Sequence, residues 1–491
     1  MSQKSKDLFF IVFYFSLIFL ISHFLYLASE SNSKELIKSP LILDPNDYPK
    51  SEGTIYEVLL SRIKAQPFNV TATLIFFLSL IHIFSAPLLT KKAHSNEKET
   101  VGIELIRFLG EVEVIFGLWV IPLMVAMTMT YDWRVALHYL ETRPYTEALF
   151  VVVVMALSST KPILNLAEEL LRMVAGFGQK TVKAWWLTLL TLGPFLGSFI
   201  TEPAAMTITA LLLGRYVFDL KPSKSFSFAT LGLLFTNISV GGVLTSFAAP
   251  PVLLISRVWH FDTAYMMSHF GWKAFVGIVL SNLLYLFLFK EEFKRLEKKA
   301  LNQKEEIKKK EEEIPFMITL IHLTFLAWIV VHAHYPVVFI GSFLLFLGFY
   351  TATTPYQSPL NLKMPILVGF FIGGLVVHGA LQSWWITPFL NKATEGWLMI
   401  ICGILTAFND NAEITYLASL TPDLSEGLKY AVLAGSVSGG GLTIIANAPN
   451  LPGQAILKPY FRYGIPAWRL ALGALAPALI VGSCFYFLTF L

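Results

Sequence analysis

The sequence predicts an all-α integral membrane protein built as an inverted repeat, with about eleven transmembrane helices, two re-entrant hairpins and two unwound helices. Three observations carry this. Of 491 residues, 55% are hydrophobic and 14% charged, against about 25% charged in a soluble domain. Apolar stretches of spanning length recur along the whole chain. Two polar motifs interrupt apolar segments at matched places in the two halves. The net charge of +4 is too small to point to nucleic acid. Cys402 and Cys484 lie in apolar stretches and offer neither a disulfide framework nor metal-ligand spacing. The stretch Gly176-Phe-Gly-Gln-Lys-Thr181 lacks the glycine spacing of a phosphate loop, and no Walker motif, zinc spacing or nucleophile elbow appears. ATP-driven pumping and metalloprotease chemistry are therefore set aside, and no cofactor is expected.

A span needs roughly 20 apolar residues. The first candidate, 8–28, follows the basic Lys4 and Lys6. It exceeds the about 7–15 apolar residues of a signal-peptide core and reads as an uncleaved anchor. With the polar segment behind it, it makes up residues 1–67. The first half, 68–290, holds spans near 68–90, 102–130, 146–163, 226–257 and 272–290. A linker of mixed charge, 291–314, leads to the second half, 315–491. Its spans lie near 315–333, 336–352, 363–381, 427–457 and 466–491. Two further apolar stretches, 184–218 and 396–420, carry polar residues at mid-length.

Those interruptions match. One reads Gly197-Ser-Phe-Ile-Thr-Glu-Pro-Ala-Ala-Met-Thr207 and the other Leu405-Thr-Ala-Phe-Asn-Asp-Asn-Ala-Glu-Ile-Thr415. An offset of 208 pairs Thr201 with Asn409, Glu202 with Asp410, Ala204 with Ala412 and Thr207 with Thr415. Each is followed by an apolar segment broken at glycines and then prolines. An offset of 199 pairs Ser239 with Ser438, Gly241 and Gly242 with Gly440 and Gly441, and Pro250 with Pro449. The chain therefore reads as an internal duplication.

Basic residues flanking short loops favour the cytoplasm. If 184–218 crossed fully, Arg215, Lys221 and Lys224 would fall outside. If it enters and returns as a hairpin, they join Lys91, Lys92, Lys98, Arg172, Lys180 and Lys183 inside. The second hairpin then dips in from outside beside Asp423 and Glu426, and Lys458 and Arg462 are cytoplasmic. Under this topology the halves have opposite orientation. Inverted repeats with interrupted helices are the architecture of secondary transporters, whose sites lie near the bilayer midplane.

An acid at the bilayer centre costs about 2.5–3.5 kcal/mol on insertion scales, so Glu202, Asp410 and Glu413 call for a task. Thr201, Asn409 and Asn411 surround them in sequence, and Thr207 and Thr415 follow. Carboxylate and amide oxygens suit a hard alkali cation, and a buried carboxylate also takes a proton. One group that holds H⁺ or Na⁺ but not both is sufficient for exchange, with Glu202 and Asp410 as the Na⁺ ligands. The alternative is that the acids only cap half-helices. At the second pair of motifs, Gly241, Gly242, Gly440 and Gly441 admit backbone conformations other residues resist, while Pro250, Pro251 and Pro449 end the preceding helix. Ser239, Thr245, Ser438, Asn447 and Asn450 supply polar groups there, with a kinked packing helix as the alternative. Glu104, Arg107 and Glu111 share one helix face and read as a neutralised ladder, which leaves Glu113 aside. His378 reads as a packed histidine rather than a proton relay. Asn237, opposite Ser436, is either a ligand or an interhelical hydrogen bond.

At these motifs the sequence resembles the ion transporter superfamily, over about 180–258 and 396–458. Within it, Thr-Glu-Pro-Ala-Ala-Met, Asn-Asp-Asn-Ala-Glu-Ile-Thr and Ala-Asn-Ala-Pro-Asn-Leu-Pro-Gly-Gln-Ala resemble the bacterial family named "putative Na⁺/H⁺ antiporter". The superfamily's dicarboxylate transporters carry Ser-Asn-Thr at each tip. Here Thr-Glu-Pro and Asn-Asp-Asn stand instead, and their negative charges would repel a dianion. The resemblance implies a homodimer on a scaffold of early helices, in the bacterial inner membrane. The expectation is a secondary transporter that exchanges Na⁺ for H⁺, with monovalent cations and the lipid bilayer as its partners. Na⁺-coupled symport of a small organic substrate is the alternative. A membrane scaffold without transport would leave the buried acids without a role.

Overall fold

The computed structural model describes residues 43, 47–48, 53–94, 101–302, 314–462 and 464–490. The expected anchor at 8–28 and residues 303–313 of the linker lie outside the described residues. Every regular element among them is helical. In chain order these are α1 (Ile55–Ala65), α2 (Phe68–His94), α3 (Val101–Leu109), α4 (Val112–Thr130) and α5 (Trp133–Glu141). Then come α6 (Thr146–Ser158), α7 (Lys161–Phe177), α8 (Val182–Ile200), α9 (Glu202–Tyr216), α10 (Lys224–Gly241) and α11 (Pro250–Trp259). A helix with a π-turn at Met267–Gly271, α12 (Thr263–Leu288), precedes α13 (Lys290–Asn302), α14 (Phe316–Val331) and α15 (Pro336–Ala352). Last are α16 (Lys363–Gly379), α17 (Ser383–Leu390), α18 (Glu395–Phe408), α19 (Asn411–Ser419), α20 (Glu426–Gly439), α21 (Asn450–Leu457) and α22 (Ala467–Phe487).

Five of these helices are long and apolar enough to cross a membrane: Phe68–Ala86, Val112–Thr130, Lys224–Leu244, Thr263–Leu288 and Ala467–Phe487. The number rises to 7 if two bent pairs, α6 with α7 and α16 with α17, each count as one span. The protein is a multi-pass helical membrane protein.

Two expected spans are broken, each for a local reason, and a third bends at its end. The stretch 102–130 breaks at Gly110 into α3 and α4. Arg107 pairs with Glu104 at 2.5 Å, while Glu111 lies beyond the break at the N-cap of α4. The three residues therefore do not share one continuous helix. The span at 146–163 ends at Ser158 and bends by 67° into α7, because Pro162 has no N–H to give the Ser158 carbonyl and Thr160 is extended. The span at 363–381 bends by 80° into α17.

The chain forms two compact units, and each draws on both sequence halves. One comprises the described residues up to Ala148 with Ile366–Asn391 and Leu420–Pro422. In it Gly374 packs on the α4 backbone at Phe116 and Gly117. Tyr139 donates to the Val377 carbonyl, and Thr73 donates to Gln382 Oε1 at 2.9 Å. His378 is buried beside the rings of Phe76 and Phe116, a packed histidine.

The other unit comprises Leu149–Pro365, Lys392–Ser419 and Asp423–Leu491. At its centre runs α10, buried on all sides, as an apolar sequence without an amphipathic face requires. It crosses α22 where glycines meet: a Cβ on Gly232 would overlap the Gly473 backbone, and one on Gly473 the Phe228 carbonyl. Such small-residue crossings let membrane helices approach closely. Asn237 donates to the Leu190 carbonyl at 2.8 Å and to Asn282 Oδ1 at 3.1 Å, so it is an interhelical tie. Helices α8 and α9 fold back on each other about Thr201, with Gly193 against Thr209 and Gly197 against Ala205. Both ends of this hairpin meet the charged α13. The Lys183 amide donates to Glu297 at 3.1 Å. Lys299 donates to the Leu220 carbonyl at 2.9 Å and the Ser223 amide to Glu292 at 2.6 Å.

The crossing at Gly232 makes a prediction. Gly232→Ala is expected to lower the unfolding temperature in detergent, by about 1–3 kcal/mol of overpacking. Gly341→Ala, whose methyl meets open space, should leave it unchanged or higher. Equal behaviour of the two variants would refute the close crossing.

Candidate functional site

The expected site residues lie in the second unit, around two hairpin tips and two helix breaks. At the first tip Thr201 alone links α8 to α9. Its backbone has φ 72° and ψ 149°, a conformation natural to glycine and strained for threonine. Its hydroxyl lies 3.3 Å from that of Ser158. Glu202, the first residue of α9, is fully buried, and a negative charge is favourable at this helix end. Its Oε2 accepts from Asn447 Nδ2 at 3.1 Å, and Oε1 has no donor. Gly242 stands directly against Oε1, where a Cβ would overlap it.

The second tip has a two-residue link, Asn409 and Asp410, both half-buried. Asp410 Oδ1 accepts from the Ala412 amide at 2.8 Å, so this acid caps α19. The capping reading holds for its geometry, while its charge acts on both Glu202 and Glu413. Asn411 is fully buried. Its amide N–H donates to the Ala446 carbonyl at 3.1 Å and its Nδ2 to Ser239 Oγ at 3.3 Å. Glu413 is also fully buried, and neither carboxylate oxygen has a well-formed hydrogen bond. Asn409 is the polar side chain beside it. The hydroxyls of Thr207 and Thr415 turn back to their own helices, to Pro203 and Asn411 carbonyls, and serve packing.

By helix position the tips are not in the expected register. The first helical residues are Glu202 and Asn411. Glu202 thus corresponds to Asn411, one residue beyond the Asp410 with which the sequence offset pairs it.

The breaks lie against these tips. Helix α10 ends at Gly241 in a 3₁₀ turn, Gly242–Leu244, and resumes at Pro250. Helix α20 ends at Gly439, and the chain runs irregularly until Asn450. The glycines there do not serve backbone freedom, as expected from sequence. Gly242 has φ −72° and Gly440 φ −62°, values any residue adopts. They serve close approach instead. A Cβ on Gly440 would overlap Ser239, one on Gly441 would overlap Thr236, and one on Gly241 would meet the Pro194 backbone. Freed backbone groups find side chains. Asn450 Nδ2 donates to the Gly440 carbonyl at 2.7 Å and the Thr443 carbonyl at 2.9 Å. Ser198 donates to the Gly241 carbonyl at 2.7 Å and accepts from the Leu244 amide at 3.0 Å. Ser438 donates to Ala434 within its own helix and lies outside this network.

One arrangement recurs. Thr245 donates to the Ser198 carbonyl at 2.6 Å, and Thr443 to the Ala407 carbonyl at 2.8 Å. In each case a threonine four residues past a break glycine holds the end of the incoming tip helix. Sequence reasoning overlooked Ser198 and Thr443, although both stand inside the motifs it had singled out. Their signal was a hydroxyl next to a break with no partner on its own helix.

The chemistry of the cluster follows from its unused atoms. Glu202 Oε1 and the side-chain carbonyl oxygens of Asn411, Asn447 and Asn450 are buried and accept no hydrogen bond among the described residues. All four are acceptors only in this orientation. Hard oxygens without donors suit a cation or a proton rather than an anion.

Two predictions test this wiring. Asn450→Asp, of equal size but without the donor, is expected to lower the unfolding temperature, at about 1–3 kcal/mol for each carbonyl left unpaired. An unchanged temperature would show that the amide does not hold the break. Thr201→Gly is expected to keep wild-type stability despite losing the Ser158 contact, because it removes about 1–3 kcal/mol of backbone strain. A clear loss in the same measurement would place the strain elsewhere.

Among curated proteins no relative matches the chain. The family described as "Putative Na+/H+ antiporter" matches residues 67–488, from the start of α2 to the end of α22. Over this length the chain belongs to the "Putative Na+/H+ antiporter" family and is a membrane transporter of monovalent cations.

Proposed function

We propose that the protein exchanges Na⁺ for H⁺ at a single competitive centre. The observation that carries this reading is the set of four buried, donorless oxygens on Glu202, Asn411, Asn447 and Asn450. They come from both sequence halves, on residues of the two tips and of the second helix break. Na⁺ entering the cluster takes the carboxylate oxygen of Glu202 and displaces a proton from it; a proton returning does the reverse. Asp410 adds negative charge beside the cluster and keeps the cation preference, and Glu413 adds a second buried carboxyl group. Asn409, Thr201, Ser239, Thr245 and the glycines shape the walls.

The surrounding architecture is proposed on the same footing. Two inverted halves, 68–290 and 315–491, each supply a re-entrant hairpin and an unwound helix, within about eleven spans. The recurring threonine contacts support the repeat. The meeting of both ends of the first hairpin with α13 supports re-entrance, since a full crossing would separate those ends by the bilayer thickness of about 30 Å. From the family resemblance, the protein works as a homodimer in the bacterial inner membrane. Alternating access moves the bundle that carries both tips.

The test is ΔpH relaxation in proteoliposomes after a Na⁺ pulse. Wild type is expected to pass protons in response. Glu202→Gln should slow this at least about tenfold, a loss of 1.4 kcal/mol or more from the rate, and remove Na⁺-dependent thermal stabilisation. Asp410→Asn should weaken Na⁺ stabilisation while leaving some exchange. Absence of any Na⁺-evoked proton flux in folded wild type would overturn the exchange reading.

A further inference from the structure

The last helices of the two sequence halves share a pattern that the motifs above do not include. Trp272, Lys273 and Gly277 of α12 stand at an offset of 196 from Trp468, Arg469 and Gly473 of α22. Each cation lies over a ring in the broken helix of the other half. Lys273 Nζ is 4.6 Å from the centre of the Tyr430 ring, and Arg469 Cζ is 5.6 Å from that of Phe228. Tyr430 is the fifth residue of α20, and Phe228 is the fifth residue of α10. A phenylalanine that precedes each cation in sequence packs on the same ring: Phe270 on Tyr430 at 4.6 Å, and Phe461 on Phe228 at 4.9 Å. The two halves thus exchange equivalent contacts.

Neither cation has an acid to answer it. Among the described residues neither forms an ion pair. Lys273 is 5% exposed. Its ammonium donates to the Tyr430 hydroxyl at 3.0 Å and to the Thr489 hydroxyl at 3.1 Å. Tyr430 in turn donates to the Phe485 carbonyl at 2.9 Å. A charged side chain within a membrane helix is costly and calls for a task. An aromatic face holds such a cation, whereas a carboxylate in its place would be a rival site for Na⁺. The helix dipole gives no other reason for the arrangement, because both rings lie near helix N-termini, where positive charge gains nothing. What the two pairs do share is leverage. Each grips a broken helix near one end, and the break at Gly439 or Gly241 forms the other end.

We propose that Lys273 and Arg469 are positioning residues that hold each broken helix in register against the opposite half. They thereby set the fit of Na⁺ among the oxygens of Glu202, Asn411, Asn447 and Asn450, an inference that rests on the cation cluster proposed above. Full-length protein in detergent is unfolded thermally at rising NaCl, with choline chloride holding the ionic strength. Lys273→Met and Arg469→Met are each expected to raise the Na⁺ concentration for half-maximal stabilisation at least about threefold. Lys273→Arg and Arg469→Lys, which keep the charge, should stay near wild type. Adding Tyr430→Leu to Lys273→Met should raise the midpoint no further than the larger single effect, since both remove one contact. Lower unfolding temperatures with an unmoved Na⁺ midpoint in both methionine variants would reduce the pairs to packing and overturn the proposal. Equal shifts in the charge-keeping variants would overturn it as well. Should Lys273→Met not fold, the half-buried Arg469 decides through its own two variants. Absence of Na⁺ stabilisation in wild type would overturn the cation cluster together with this inference, whereas a wild-type effect that both methionine variants retain unchanged overturns this inference alone.

Discussion

A helix broken inside a bilayer frees backbone groups that lipid cannot satisfy, and this constraint organises the second unit. Several of the freed groups are met by side chains or by backbone of a neighbouring element. Asn450 serves the Gly440 and Thr443 carbonyls, Ser198 serves Gly241 and Leu244, and Asn411 reaches the Ala446 carbonyl with its own amide N–H. An amide side chain has two ends. When Asn447 and Asn450 spend their N–H groups on Glu202 and on the break, their carbonyl oxygens are left buried without a donor. Under the exchange reading, holding the break open and presenting oxygens to a cation are two consequences of the same residues. Serine or threonine at these positions would satisfy the carbonyls without presenting a separate acceptor.

The two tips meet this constraint differently. A single strained residue, Thr201, turns the chain at the first, and Glu202 follows at once at the start of α9. Two residues turn the second, so Asp410 becomes a cap and Asn411 takes the position that Glu202 holds in the other half. The acid is inside the cluster at one tip and at its edge at the other. Under the exchange reading, tips of unequal geometry give one centre built around Glu202, not two equal sites.

Much of this was legible in the sequence, and the failures have physical causes. The paired breaks in apolar segments marked the site region, because polar residues in lipid are costly enough to be conspicuous. The apolar helices followed from apolar length alone, whereas the amphipathic α1, α5 and α7 did not. Breaks inside α3–α4 and α6–α7 were missed because hydropathy does not register them: Gly110 and Pro162 interrupt hydrogen bonding without making the stretch polar. The glycines at Gly242 and Gly440 were found, but for the wrong reason. Sequence suggests backbone freedom for any glycine, and only packing reveals that the missing Cβ makes room for Glu202 and Ser239. The one-residue register difference between the tips was hidden because an ungapped offset matches Glu with Asp by type, whereas helix position matches Glu202 with Asn411.

The same close contacts bear on how a cation leaves. Gly440 rests on Ser239 and Gly441 on Thr236, with Ser239 also donating to the Val437 carbonyl at 2.9 Å. The ends of α10 and α20 are therefore interlocked at the level of backbone atoms. Parting them to release an ion would strip Ser239 and Asn411 of their partners and expose the break to lipid or water. The Gly232–Gly473 crossing fixes α10 to α22 in the same way. A cluster tied from both sequence halves does not open cheaply along the seam between them. Under the exchange reading, the lower-cost route keeps the tips and breaks together as one body and changes which side of the membrane that body faces. Under that reading, packing without side chains, rather than any single strong bond, makes the body rigid enough to move as a whole.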